Sequence, residues 1–351
     1  MTPQTRKNLL YSLILVLLVL GVYLFRSLTD QEPTLRESRT AEGLVVLEGD
    51  FLGDSFLVLY PPLSSSLSSS IDSIFTHHAQ QVLLASPRTE LSQLNAQDSL
   101  INPSSEFVAL LRYALNQAQK AEMAWDPSSK DLYGVWSFSS TKATLQDSTD
   151  LPGMLSRMGM KGLVVTDTLI YKTDTRLKLD LSDFGKTIAL DQVAQYLDLK
   201  GVGHYFIQLG RHTKAKGLNE KKELWKLKFI HPDSTEKKQE GLIALDHMSV
   251  ASSGLYTDYY LQDSLKKPKL LDPRTAYPVT HGLLSASIFA KSSKEAGILS
   301  EMLWVEGWYK AMQLDSARSD VSMILIFNKK GEKVSLYASP ELRKYLSFSI
   351  Y

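Results

Sequence analysis

The stretch LKLDLSDFGKTIALDQVAQYL, Leu177–Leu197, sets the architecture, because it passes from a short strand at Leu177–Leu181 to a helical period at Ile188–Leu197. Upstream of it, Leu163–Val165 and Leu169–Tyr171 read as further short strands. Downstream, a second group of strands follows at His204–Leu209, Trp225–Ile230, Leu242–Leu245 and Ser249–Ser252. Beyond the loop around Asp272 come a strand at Ser285–Ala290, a helix over Lys294–Met312 and a strand at Met323–Asn328. Strands and helices mix without strict βαβ alternation, which predicts an α+β fold with a mixed sheet rather than a doubly wound one.

Toward the N-terminus, Phe107–Ala121 repeats apolar positions every three to four residues and is the clearest amphipathic helix of the body, with packing as its role. Ile71, Ile74, Phe75 and His78 continue the serines Ser64–Ser70 at helical spacing, so those serines enter a helix whose core is Ile71–Leu84. Gly53–Tyr60 ends at Pro61 and Pro62 as an edge or early strand would. Residues Ser27–Gly43 are polar, contain Pro33 and show no apolar period, so they read as a tether, and the fold begins near Leu44. Leu9–Phe25 carries no charge and, at ~1.5 Å rise per residue, nearly covers a ~30 Å hydrocarbon core. Arg6 and Lys7 precede it, while Arg26 is soon offset by Asp30 and Glu32, which points the body to the outer, periplasmic side of the inner membrane. A cleaved signal peptide is the rival reading, although no small-x-small site follows Phe25. Residues 1–26 thus read as a single-pass anchor, 27–43 as a tether and 44–351 as one domain.

Composition narrows the function classes. The 351 residues are 44% apolar and 22% charged, enough for a sizeable core. Thirty-nine basic residues against 38 acidic ones leave a net charge of +1, so no global field recruits nucleic acid. The absence of cysteine excludes disulfides, thiolate nucleophiles and zinc-thiolate sites.

The polar clusters are weak singly; Asp272–Thr275, for example, is by itself a turn. Their order is specific. TELSQLN (Thr89–Asn95), AWDPSSKDLYGVWSF (Ala124–Phe138), LDLSDFGKTIALD (Leu179–Asp191), HYFIQLGR (His204–Arg211), Trp225 with His231-Pro232, ASSGLY (Ala251–Tyr256) and KLLDPRTAYPV (Lys269–Val279) follow one another. In that order they resemble the ApbE-like family of FAD:protein FMN transferases from about Gly53 to Phe327, with the spacing Asp180, Lys186, Asp191 kept.

The resemblance implies a T-fold-like domain that moves FMN from FAD, through a phosphodiester, onto a threonine of a target flavoprotein, with magnesium assisting. Such chemistry needs two phosphates held, their charge offset and a hydroxyl aligned in line. By resemblance Leu52, Ala85, Ala124, Trp125, Asp126, Asp180, Lys186 and Leu271 form the FAD site, Lys269 and Asp272 belong to the catalytic signature, and Asp183, Gly297, Ser300 and Glu301 occupy the metal-binding positions. Trp125 offers an aromatic face for stacking or fills the core, and Lys186 serves a phosphate or is a solvated lysine. Several departures fall on the chemistry: Lys269 replaces a histidine, Ala276 a glycine, Ala85 a tyrosine, Leu52 a methionine, and Arg211 with His212 the second glycine of a pair. Gly297 stands where the family keeps a metal-binding aspartate, and glycine has no ligand atom. Two readings follow: Asp183 and Glu301 have taken over the metal, or the site is lost and the chain binds flavin nucleotide or a protein partner without transfer. Arg211 either fills the nucleotide pocket or grips the pyrophosphate.

Overall fold

The computed structural model describes residues 35–348, apart from 140–141, 147–149, 231–239, 256–258, 263–264 and 329–333. The anchor at 1–26, His231-Pro232 and Tyr256 lie outside the described residues. Among the described residues no helix is long and apolar enough to cross a membrane.

Among the described residues nine strands form the main sheet: β1 (Arg36–Arg39), β2 (Val45–Phe51), β3 (Asp54–Tyr60), β4 (Tyr205–Leu209), β5 (His212–Lys216), β6 (Met248–Gly254), β7 (Leu283–Ala290), β8 (Ser322–Asn328) and β9 (Val334–Ala338). They lie side by side in chain order, and each neighbouring pair is antiparallel. Among the described residues the α-helices of seven or more residues are α1 (Ser68–Val82), α2 (Glu90–Ala96), α3 (Ser105–Lys120), α4 (Ser182–Leu199), α5 (Ser293–Glu306) and α6 (Trp308–Ala317).

Period-two alternation splits the sheet's side chains between two cores. Tyr205, Ile207 and Leu209 of β4 pack with Val45, Leu47, Phe56 and Val58 against Ile71 and Phe75 of α1 and Leu190, Val193 and Leu197 of α4. Further along the same face, Ala286, Ile288, Met323 and Leu325 receive Ala296, Leu299 and Leu303 of α5. The intervening positions Phe206, Ala215, Val250, Phe289 and Ile324 face the opposite way, onto Trp225, Ile243 and Leu245 of a small sheet. A third cluster joins Phe107, Leu111 and Ala114 of α3 to Leu91 and Leu94 of α2 and to Leu177, Leu179 and Leu181. Both of these helices are capped from sequence-local residues: Thr89 Oγ1 accepts from Ser92 N–H (3.2 Å) and Ser104 Oγ from Phe107 N–H (3.2 Å), each worth about 1 kcal/mol.

The α+β class holds, and so do the helices at Ser68–Val82 and Ser105–Lys120. Four local expectations change. The sheet is antiparallel rather than mixed, because each excursion returns beside the strand it left, in the opposite direction. Of the two readings of Gly53–Tyr60 the early strand holds and the edge does not, since Asp54–Tyr60 lies between Val45–Phe51 and Tyr205–Leu209, and Arg36–Arg39, inside the expected tether, pairs with Val45–Glu48 and takes the edge. Leu177–Leu181 is not a strand: the Asn95 amide stands in for a partner, donating to Leu179 O and accepting from Leu179 N–H, both at 2.8 Å. The helix expected over Lys294–Met312 is two helices, broken where Gly307 turns the chain at φ 89°.

Candidate functional site

A cavity of about 520 Å³ opens where α4, α5 and the hairpin between β4 and β5 converge. Four of the motif segments, far apart in the chain, meet in its walls: Ala124–Pro127 with Lys130, then Asp180, Asp183 and Lys186, then Arg211, then Leu270, Leu271 and Pro273; Glu301 and Trp304 of α5 join them, while Thr89–Asn95, Trp225 and Ala251–Leu255 do not line it. Of the residues assigned to FAD, Ala124, Trp125, Asp126, Asp180, Lys186 and Leu271 line it. Leu52 and Ala85 do not; Leu52 turns the β2–β3 hairpin at φ 48° and packs its side chain into the core.

Each wall has a local cause. After α3 ends at Lys120, Glu122 and Met123 sit in the left-handed region (φ 47° and 65°), turning the chain so that Ala124–Asp126 enter the cavity. Trp125 is buried there, edge-on to Phe184 at 5.6 Å, and serves core and cavity wall together. Asp126 organises this loop, accepting from Ser128 N–H (2.9 Å), Ser128 Oγ–H (2.6 Å) and Gly159 N–H (2.6 Å). Burial raises its carboxyl, and those hydrogen bonds oppose the rise. Asp180 accepts from Ser182 N–H (2.9 Å) at the start of α4 and from Lys130 Nζ (2.6 Å). Burial works against its ionisation, but these partners hold its carboxyl below the ordinary value.

Lys186 is not a solvated lysine. Its side chain is 10% exposed, its ammonium pairs with Asp54, and it lies 3.7 Å from Asp183 Oδ1. Next to it stands Arg211, on the tip of the two-residue β4–β5 hairpin. Its Nη2 donates to Asp183 Oδ2 (2.7 Å) and to Glu301 Oε1, and its Nη1 to Ser253 Oγ (3.2 Å). His212 Nε2 adds a contact to Asp183 Oδ2 at 3.1 Å. Burial opposes ionisation of Asp183, yet Arg211 and His212 hold its carboxyl well below the usual range. Burial and the Asp183 carboxylate together push the Glu301 carboxyl up, against the pull of Arg211.

This donor set does not fit the magnesium of the resemblance. The guanidinium of Arg211 lies between the two carboxylates that would have to share the ion. Gly297 offers no side chain, and a Cβ there would come within 2.7 Å of Thr187 Cγ2, because α4 and α5 close over that position. The Ser300 hydroxyl is committed to Gly297 O (2.9 Å) and Ser253 Oγ (3.1 Å), and neither Gly297 nor Ser300 lines the cavity. Among the described residues no group of three His, Cys, Asp or Glu side chains gathers for a metal.

The catalytic signature is also placed differently from the expectation. Asp272 is held from both sides by Arg274, with Nε to Oδ1 at 2.9 Å and Nη2 to Oδ2 at 2.8 Å, and its carbonyl accepts from Thr275 and Ala276 N–H. It therefore shapes the turn that brings Leu271 and Pro273 to the cavity and does not line the cavity itself; Lys269, just before that turn, does not line it either. Arg211, expected to fill the nucleotide pocket or grip its pyrophosphate, stands in the wall, whereas Lys130 and Trp304 were not among the expected site residues. Trp304 has a sequence signal, lying three residues from Glu301 on the same helix face. Its Nε1–H is buried without a hydrogen-bond partner among the described residues.

Fold and site together define an α+β domain that presents three cationic side chains and an aromatic wall to one cavity. The chain belongs to the ApbE family, which its residues 52–325 match. The FAD:protein FMN transferase of Escherichia coli (strain K12) is 24% identical over 340 residues, covering 93% of this chain and 96% of that protein. The protein of the same name from Haemophilus influenzae is 27% identical over 301 residues, covering 81% and 86%. Among solved structures, the flavin transferase ApbE from Vibrio cholerae superposes with a TM-score of 0.74 at 22% identity, covering 88% of this chain and all of that one. The Pseudomonas stutzeri flavinyl transferase ApbE, in its apo form, gives 0.72 at 20% identity, with 89% and 97% covered.

Proposed function

We infer that this chain is an FAD:protein FMN transferase, held by its N-terminal apolar segment at the outer face of the cytoplasmic membrane and acting on a threonine of a flavoprotein subunit. The observation that carries the reading is the convergence of four of the ordered motif segments on one cavity, with Trp125, Lys186 and Arg211 in its walls. An aromatic face suits an isoalloxazine or adenine ring, and the two cations suit a pyrophosphate. In the reaction the threonine oxygen forms a bond to the FMN phosphorus while the bond from that phosphorus to the bridging oxygen breaks. AMP leaves with the electron pair, and the hydroxyl proton passes to solvent or to a carboxylate. Lys186 and Arg211 offset the phosphate charge as it shifts to the leaving group.

A second reading is favoured by the poor fit of the donor set to magnesium: a family member that holds flavin nucleotide, or a protein partner, without transfer. The deciding experiment incubates the full chain, purified in detergent, with FAD and a threonine-bearing flavoprotein acceptor from the same membrane, and measures AMP release and acceptor mass. Stoichiometric AMP with an FMN-sized gain on the acceptor is expected. Flavin retained with no AMP assigns the chain to the second reading, and the absence of both AMP and retained flavin defeats the transferase reading and leaves of the second only the protein partner. In cells, the body is expected to pellet with membranes and to be cut by protease from the outer side. Recovery of a soluble chain beginning after Phe25 removes the anchor from the proposal.

A further inference from the structure

Two carboxylates that face each other across a site need a cation or a shared proton between them, and here the chain places a cation of its own there. The β4–β5 hairpin joins Leu209 to His212 through Gly210 and Arg211 alone. Gly210 adopts φ 54°, and a Cβ at that position would meet Asp54 Oδ2 at 2.6 Å, so the turn requires glycine first and leaves the second residue to project. In this chain that residue is arginine. Its Nη2 spans Asp183, on the first turn of α4, and Glu301, in the middle of α5, while Nη1 reaches Ser253 on β6. Three of the five N–H donors of a guanidinium are thereby engaged, and the others remain for a ligand.

Resting on the flavin reading above, we propose that the Arg211 guanidinium takes the place of the divalent cation, so that the dinucleotide pyrophosphate is bound without metal. Arg211 stands between the two carboxylates, where an incoming ion would be repelled by the guanidinium and would have to break both of its ion pairs to enter. Gly297 supplies no ligand to reward that displacement, and Thr187 blocks the room a longer side chain would need. On the cavity side, Arg211 and Lys186 sit on either side of Asp183, so two fixed positive charges face the same space. A planar guanidinium presents paired donors to phosphate oxygens, which an ammonium does not.

The test is FAD binding by the full chain in detergent, followed by flavin fluorescence, with chelator present or with magnesium added. The expected dissociation constants for wild type agree within about twofold, since no ion contributes. Arg211→Gly should bind FAD at least about tenfold more weakly in chelator, the loss of hydrogen bonds to a charged group. Magnesium should recover part of that loss, because the variant frees Asp183 and Glu301. Arg211→Lys, which keeps the charge and guards against a misfolded glycine variant, should fall between the two and respond little to magnesium. Wild-type binding that tightens about tenfold or more with magnesium overturns the proposal and leaves the flavin reading standing. Arg211→Gly binding as tightly as wild type in chelator overturns it equally. Absence of FAD binding in either buffer removes the flavin reading and this proposal with it.

Discussion

Removal of the Asp191 carboxylate should unfasten α5 from α4 and strand a buried lysine. Asp191 lies on α4 and reaches the start of α5, where Oδ1 accepts from Ser293 N–H at 2.9 Å and Oδ2 from Lys294 N–H at 3.2 Å and from Ser292 Oγ–H at 2.9 Å. Ser292 makes no side-chain cap of its own, so a residue from another helix does the capping. The same carboxylate holds Lys214 Nζ at 2.8 Å, with both side chains less than 20% exposed. A lost cap costs about 1 kcal/mol, and stranding one partner of a buried pair costs about 3–5 kcal/mol. These overlap, and Lys214 keeps the Lys291 carbonyl at 2.9 Å, so Asp191→Ala should lose about 3–4 kcal/mol. Asp191→Asn, which still offers one acceptor, should lose about 1.5–3 kcal/mol. The assay is urea unfolding followed by tryptophan fluorescence, repeated in a Lys214→Met background, where the cost of Asp191→Ala should shrink by about 1–3 kcal/mol. A pH series gives an independent check. Burial opposes ionisation of Asp191, but Lys214 and the Ser293 donors hold its folded carboxyl below the unfolded value. Its contribution is therefore complete above the ordinary carboxylate range and is lost as pH falls through the lower folded value. A loss under about 1 kcal/mol, or an undiminished loss in the Lys214→Met background, would refute the capping and pairing argument.

Three further outcomes are expected. Lys186→Ala should weaken FAD binding by about 1.5–3 kcal/mol in a fluorescence titration, and unchanged affinity would confine Lys186 to its Asp54 pair. Gly297→Asp, the substitution that restores the family residue, should destabilise by about 1–3 kcal/mol through overpacking on Thr187, with Thr187→Ala recovering most of it; a neutral effect would mean that α4 and α5 separate freely. Asn95→Ala should cost about 1–3 kcal/mol, because both backbone groups of Leu179 lose their amide partner, and hydrogen exchange at Leu179 should rise with it; unchanged exchange would show that another group covers that backbone.

The sequence by itself determined the elements whose cause is local. The period of Phe107–Ala121 defines α3, observed at Ser105–Lys120, and the strand expected at His204–Leu209 is β4. The order of the motifs also gave the family, while the left-handed backbone of Ala276, at φ 62°, is shown by the structure. Strand direction, the Gly307 break and the fate of Leu177–Leu181 were not legible, because they depend on what lies beside each segment rather than within it. The last is the clearest case: the apolar spacing of a strand is present, but its hydrogen bonds go to a side-chain amide that is 84 residues away in sequence. The site follows the same division. Sequence identified Asp183, Glu301 and Arg211 as departures or replacements, each with two readings. Only the tertiary structure brings them together, since Arg211 lies 28 residues from Asp183 and 90 from Glu301. The hairpin register and the close packing of α4 on α5 fix where those charges meet, and propensity and periodicity, acting over a turn or two, carry no information about that meeting.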